Sequence, residues 1–245
     1  MNTQNYTRNT AKECALKIER AVKHREPFRH LVIDRFLPTA MADRCLEDFP
    51  HENTNIWDIS NDDVEIKMRS KFDSEFDFPG ELANVVRILN SSIILKAMAE
   101  AIGITKLIPD PYFTGGGLNL MTEGGALDVH IDGNYHDAMR LNRRLNAILF
   151  LNPKWKKHMG GEFGLYNKSG TILRKSIEPI MNRLVIFDTH DESYHGIPSP
   201  ISFDRRSLIL YYYTVEPRQH MVISEPHSAL WRKKDFTDKK GNKTR

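Results

Sequence analysis

Gly115–Asp132 reads GGGLNLMTEGGALDVHID, and its texture decides the fold. Two short apolar runs, Leu118–Met121 and Ala126–Ile131, are separated by the Gly124-Gly125 pair, which predicts two short strands joined by a tight turn. The texture continues downstream, and eight such runs lie near 116–122, 126–132, 144–151, 162–167, 172–178, 183–188, 194–197 and 206–214. A second Gly-Gly pair stands at 160–161. Repeated short strands with glycine punctuation predict an all-β barrel or sandwich.

Upstream of Pro109 the pattern is helical. Thr10 and Glu13 form a capping-box pair, and Cys14, Ile18 and Val22 recur every four residues, so 11–24 reads as an amphipathic helix. A short extended piece follows at Leu31-Val32-Ile33. Pro38 opens a second helix and Pro50 closes it. Residues 51–78 are polar with little periodicity and read as a long loop with one strand near Ile66. Two more helices fall within 79–103, with Gly103 as C-cap. The expectation is one domain, 1–245: a helical layer (11–108), a β-barrel core (109–214) and a C-terminal extension (215–245) whose basic end is a solvated terminus.

Composition narrows the function classes. The chain of 245 residues is 27% charged and 40% hydrophobic with a net charge of +3, an ordinary globular balance that does not suggest a nucleic-acid binder. No apolar run is long enough to cross a bilayer, and the polar start MNTQNYTRNT has no signal-like core. Cys14 and Cys45 form no CxxC and read as reduced thiols of a cytoplasmic protein. The oligomeric state is left open.

In a strand, residues i and i+2 share a face. In Val129-His130-Ile131-Asp132 the imidazole and carboxylate therefore point together, at a strand end marked by Gly133. Such a pair arises readily by chance in a chain with ten histidines. The downstream context changes the reading. His195 lies on the seventh strand, and Arg205-Arg206-Ser207 opens the last one. A His-x-Asp with a distant His is the 2-His-1-carboxylate set that leaves positions open on a non-haem iron. An arginine in the barrel mouth suits the far carboxylate of 2-oxoglutarate, held through a bidentate pair. Arg205 shares a face with Ser207, and Arg206 points the other way.

From about Pro27 to Thr214 the chain resembles the prolyl 4-hydroxylase-like branch of the Fe(II)/2-oxoglutarate-dependent oxygenases. FRHLVIDRFLP, the opening stretch above, RRLNAILFLNPKW, GGEFGLYN, IEPIMNRLVIFDT, SYHGIP and RRSLILYYYT carry the resemblance, in family order. It implies a mostly β protein with N-terminal helices: a double-stranded β-helix (jelly-roll) barrel flanked by helices. It implies His130, Asp132 and His195 as catalytic iron ligands and Arg205 as the 2-oxoglutarate anchor. It implies Fe(2+), 2-oxoglutarate and O2, with ascorbate as an optional reductant, in a C–H hydroxylation that releases succinate and CO2. A carboxylate at 132, where halogenating relatives carry Gly or Ala, points to hydroxylation. Family members often place a tyrosine on the first or third barrel strand. Here Met121, Thr122 and Leu149 stand in those regions, so Asn119, Asn146 and Tyr194 join Ser207 as candidate co-substrate contacts.

The expected substrate is a small metabolite, an amino acid or a peptidyl side chain, and prolyl specificity is not carried over. Arg69, Asn134, Tyr135 and Arg140 are the candidate substrate contacts, in a rim built from 51–78 and 133–143. No nucleic acid and no membrane is expected as a partner. A zinc hydrolase, or a non-catalytic metal-binding barrel on the same three ligands, is the alternative. The zinc hydrolase would not need Arg205, and HExxH is absent. A nucleic-acid demethylase lacks its usual Arg-x-Asn-x-x-x-Arg ending here. His136, His158 and His190 read as solvated loop histidines, with His190 the rival to His195. Tyr211–Tyr213 read as barrel packing, Asp191 and Glu192 as turn residues, and Asp128 as either a partner of His130 or a surface carboxylate.

Overall fold

A stripe of small and apolar residues builds the first element. The computed structural model describes residues 3–218 and 225–233, and its first helix, α1, runs Thr3–Arg20. Thr10, Cys14 and Ile18, with Ala11 and Ala15, form the buried stripe, onto which Tyr6 also packs. The helix thus starts earlier than the Thr10–Glu13 pair predicts, because Tyr6 and Thr10 extend the same i, i+4 face. Val22, expected on that face, is 69% exposed beyond the helix end. β1 (His30–Ile33) follows, then α2 (Thr39–Glu47), entered through Pro38.

The stretch 51–78 is not a loop. It holds a hairpin of β2 (Trp57–Asn61) and β3 (Glu65–Ser70), and β3 pairs with the barrel through Met68–Leu120 and Arg69–Asn119. The polar sequence hid it because one side faces solvent, where Ile59 is 69% exposed. α3 (Gly80–Leu89) and α4 (Ser92–Ile102) come next. Ser91 caps α4, and Gly103 closes it with a left-handed φ of 76°.

The barrel strands are β4 (Ile108–Pro109), β5 (Gly117–Met121), β6 (Ala126–Leu127), β7 (His130–Ile131), β8 (Tyr135–His136), β9 (Leu141–Phe150), β10 (Phe163–Tyr166), β11 (Leu173–Ile177), β12 (Arg183–Asp188), β13 (His195–Gly196), β14 (Arg205–Thr214) and β15 (Leu230–Trp231). All pairings are antiparallel. The larger sheet has the order β1-β12-β9-β14-β5-β3-β2, and the smaller β11-β10-β13-β7-β15. This is the jelly-roll barrel flanked by helices.

Strand alternation sorts the side chains. Leu145, Ala147 and Leu149, with Leu184, Ile186, Leu208, Leu210 and Tyr212, face the helices in the main core. Their neighbours Ile148, Phe150, Val185 and Phe187 meet Phe163, Leu165 and Ile177 of the smaller sheet. Arg205, Ser207 and Tyr211 alternate with the helix-facing set and so point into the barrel. Cys14 and Cys45 are free and buried in the main core, and burial pushes both thiols up to about 12. Among the described residues no helix is long and apolar enough to cross a membrane.

Asn182 stitches the two layers together. Its side chain accepts from Leu37 N at 2.8 Å and donates to Leu37 O at 2.9 Å, from a left-handed φ of 61° that asparagine tolerates. Asn182→Ala leaves both buried Leu37 groups unpaired and should cost about 2–4 kcal/mol of unfolding free energy. Urea unfolding checks this. A loss under about 0.5 kcal/mol would mean that water replaces the amide without penalty.

Candidate metal centre and its cavity

Two short strands bring the histidines together. His130 on β7 and His195 on β13 are direct cross-strand partners, with ring centroids 4.3 Å apart. Each imidazole Nδ1 is held by a backbone carbonyl two residues back, Asp128 O and Ser193 O, both at 2.9 Å. With Nδ1 donating, each Nε2 keeps its lone pair, and a metal-bound imidazole needs that arrangement. Both Nε2 atoms lie 3.7 Å from Asp132 Oδ1. One potential ligand atom from each of the three residues fits within a mutual distance of 4.8 Å. Asn146 Nδ2 donates to Asp132 Oδ2 at 3.3 Å and orients the carboxylate.

The electrostatics suit a cation. Burial favours a protonated Asp132, but His195, His130 and Arg143 outweigh it and hold the carboxyl well below its usual range. Burial first, then the neighbouring His130, lowers His195 to about 4 against the pull of Asp132, so the ring is neutral at pH 7. A neutral imidazole is the form that ligates.

Arg205 is 4% exposed and lies inside the barrel. Its guanidinium carbon sits 4.9 Å over the Phe150 ring, and Nε donates to Gly161 O at 2.8 Å. Gly161 has a φ of 75°, and a Cβ there would stand 3.2 Å from Arg205 Cδ, so this glycine permits the close approach. No acidic side chain among the described residues pairs with Arg205, and burial alone lowers it to about 10. Nearby in the sheet, Ser207 Oγ and Asn146 Oδ1 are buried without a hydrogen-bond partner. Asn119, buried opposite Ser207, makes one long bond to Gly117 O at 3.4 Å. Arg206 points outward and pairs with Asp204 at 2.7 Å. Tyr194 packs with Ile131 and Tyr166 on the face turned away from His195, so it is not part of this group.

A cavity of about 700 Å³ opens onto His130 and Asp132. Arg69 and Tyr135 line it. Asn134 and Arg140 do not. Asn134 instead binds the C-terminal segment, accepting from His227 N at 2.9 Å and donating to Glu225 O at 3.2 Å, and Arg140 is exposed. His136 is 5% exposed rather than solvated, 3.0 Å from Thr114 Oγ1 and 3.5 Å from Asp110, because β8 folds back onto β9. His158 is exposed, as expected. His190 is half-buried against Phe28 and stands outside the His130–Asp132–His195 group. Tyr212 packs in the core, whereas Tyr211 lines the cavity with Arg143 stacked 3.9 Å over its ring.

The sequence reading missed the C-terminal segment. Residues 226–229 and Trp231 form a wall of the cavity. β15 pairs with β7, placing Trp231 opposite His130 with ring centroids 4.5 Å apart. His227 Nε2 meets Asp191 Oδ1 at 3.2 Å, and Lys233 N donates to Asp128 Oδ2 at 3.0 Å. The apolar Ala229-Leu230-Trp231 in a polar tail was the available signal. The rest of the basic end, 234–245, lies outside the described residues.

Two histidines and a carboxylate at one end of a jelly roll define the facial-triad class of non-haem iron proteins. Residues 116–213 match the profile of the 2OG-Fe(II) oxygenase superfamily. A prolyl 3-hydroxylase of Mus musculus, OGFOD1, is 31% identical over 77 residues, a match covering 30% of this chain and 14% of that protein. A Trichoplax adhaerens prolyl hydroxylase, solved with a hypoxia inducible factor peptide fragment, superposes with a TM-score of 0.60 at 14% identity. It covers 87% of this chain and 94% of its own. A Pseudomonas putida prolyl-4-hydroxylase gives 0.61 at 16% identity, covering 82% and 98%. At these identities the two structures speak for the fold.

Proposed function

We propose that the chain is an Fe(II)/2-oxoglutarate-dependent dioxygenase that hydroxylates an unactivated C–H bond, with a peptidyl side chain as the first substrate class to test. The observation that carries this reading is a buried His/His/Asp set in the same barrel as a buried guanidinium without a counter-carboxylate. A hydrolytic zinc site explains the first half and not the second. Residues 1–245 act as one unit in this reading, with the C-terminal segment forming part of the site.

The donor set fits ferrous iron: His130 Nε2, His195 Nε2 and the Asp132 carboxylate would hold it and leave positions open. Bound iron, with 2-oxoglutarate and O2, supplies an oxidative decarboxylation that yields succinate and CO2 and inserts one oxygen into the substrate. The protein's part is placement. Arg205 would hold the far carboxylate of 2-oxoglutarate, and Ser207, Asn146 and Asn119 offer the polar atoms nearby. Asn146 also keeps Asp132 turned toward the imidazoles. Phe150, Phe163 and Phe187 keep the barrel interior dry, with His195 4.9 Å from the Phe187 ring. Arg69, Tyr135, Arg143 and Tyr211 line the space for substrate. The peptidyl choice rests on the prolyl hydroxylases among the similar proteins, one of them solved with a peptide.

The test is succinate formation, coupled to a gain of one oxygen by mass, across prolyl peptides, other peptides and free amino acids. Succinate with peptides and not with amino acids supports the reading, and no succinate with any substrate under Fe(II) and O2 refutes it. A second expectation concerns Trp231. Its indole packs on His130, so Trp231→Ala should weaken metal binding about tenfold, the low end for residues that orient ligands. Cobalt titration reads this, and unchanged affinity would leave Trp231 with a purely structural role.

A further inference from the structure

A second cavity, of about 940 Å³, lies on the helix-facing side of the larger sheet, away from His130 and Asp132. Arg29, Lys106, Arg144 and Arg218 line it. Against these four cations stand two acids, Glu216 on the wall and the buried Asp188. The pocket therefore carries an excess of two positive charges.

The cations are placed by specific features of the fold. Pairing between β14 and β9 steps from Tyr212–Leu145 to Tyr213–Arg143, leaving Arg144 as the extra residue of a bulge. A bulge re-aims a side chain. Arg143 consequently lies over Tyr211 in the metal-side cavity, while Arg144 emerges on the opposite face with Thr214 and donates to its Oγ1 at 3.2 Å. Asp188, the last residue of β12, is clamped by Arg29 at 2.7 Å and by Arg218. Arg29 also donates to Ile102 O, and Arg218 to Thr189 O.

A structural clamp accounts for Asp188, Arg29 and Arg218. It does not account for Arg144, whose Nε is buried with no partner. Burial, then Arg218, lowers Arg144 to about 10. The fold thus holds a guanidinium beside others of like charge and leaves its buried Nε donor unused, a costly arrangement without an anion. Buried apolar walls at Ile104 and Leu107 adjoin the cations.

We propose that this cavity is a second ligand site, which takes a phosphate monoester with its dianionic head on Arg144, Arg218 and Lys106 and its organic body against Ile104 and Leu107. A phosphate monoester carries roughly −1.5 to −2 at neutral pH and matches the excess charge, where a single carboxylate leaves it half neutralised. Arginine forks suit its oxygens.

Calorimetric titration of the full chain with phenyl phosphate, inorganic phosphate and phenol tests the assignment. Phenyl phosphate is expected to bind one equivalent, more tightly than inorganic phosphate, and phenol not at all. Arg144→Gln should weaken phenyl phosphate at least about tenfold, the scale of losing one charge-assisted contact. Arg143→Gln, one residue away but on the metal side, should leave it unchanged. Lys106 is exposed, so Lys106→Gln repeats the test, with a several-fold loss expected, in a variant whose folding is not at stake. No binding of phenyl phosphate, binding that Arg144→Gln leaves intact, or a loss caused by Arg143→Gln instead would each overturn the proposal.

Discussion

Asp132→Ala should abolish the visible charge-transfer band that the anaerobic protein develops with Fe(II) and 2-oxoglutarate, and should lower succinate formation by more than about 100-fold. The band arises when the keto acid chelates iron directly, so it reports metal and co-substrate together. Changes to residues that merely orient metal ligands cost about 10–100-fold, and removing one of three ligands should exceed that. The geometry says why no neighbour compensates. Asp132 Oδ1 lies 3.7 Å from both imidazole Nε2 atoms, and Oδ2 is turned toward Asn146. No other acidic residue joins the two histidines in a potential metal cluster among the described residues. His190→Ala is the matched control, since it was the rival ligand on sequence and stands outside the cluster, and it should leave the band intact. A zinc site would give no band before or after substitution, having a filled d shell. Full retention of the band in Asp132→Ala would remove this residue from the proposed metal set.

Most of the eight barrel runs were legible because they are buried on at least one face, although the second divides into β6 and β7 and the β11 run is largely exposed. Apolar runs such as RLVIFD at 183–188 leave little choice of register, since a slip of one residue exposes the core face. The grouping of His130, Asp132 and His195 was legible for a related reason. Two of the three stand two residues apart in an extended stretch, with Asp132 just past the end of β7, and the third lies on a strand of its own. The rim was not legible. β3 reads as charged because Glu65, Lys67 and Arg69 line a polar cavity, where a barrel strand would carry apolar side chains. β15 is two residues long, and its partner β7 lies about a hundred positions upstream, so no local pattern announces the pairing. His136 looked solvated for the same kind of reason: its partners Thr114 and Asp110 come from an earlier segment, and burial with distant partners leaves no periodic trace. The bulge at Arg144 was also invisible: strict alternation puts Arg143 on the helix-facing side with Leu145 and Arg144 inside with Asn146, and the bulge reverses them.

Arg205→Ala should raise the apparent constant for 2-oxoglutarate by more than tenfold, through a loss of about 2–5 kcal/mol, the cost of truncating a buried hydrogen-bonded charge pair. Arg206→Ala should do much less. Its guanidinium pairs with the exposed Asp204, and surface pairs of that kind contribute at most about 1 kcal/mol. Arg205→Lys should recover part of the affinity, because it keeps the charge and loses the planar fork. A second measurement separates a co-substrate anchor from a structural arginine. Arg205 is buried with no acidic partner, held by Gly161 O and the Phe150 ring. A desolvated cation in that state costs stability until an anion arrives. Arg205→Met should therefore leave the free protein at least as stable as the parent, and should erase the rise in melting temperature that 2-oxoglutarate gives the parent in the presence of an inert divalent metal. A structural arginine predicts the opposite pair of results: a destabilised free protein, and a 2-oxoglutarate-dependent shift that survives. Equal effects at Arg205 and Arg206 would remove the assignment, since only Arg205 faces the barrel interior that Ser207 and Asn146 line with unpaired oxygens.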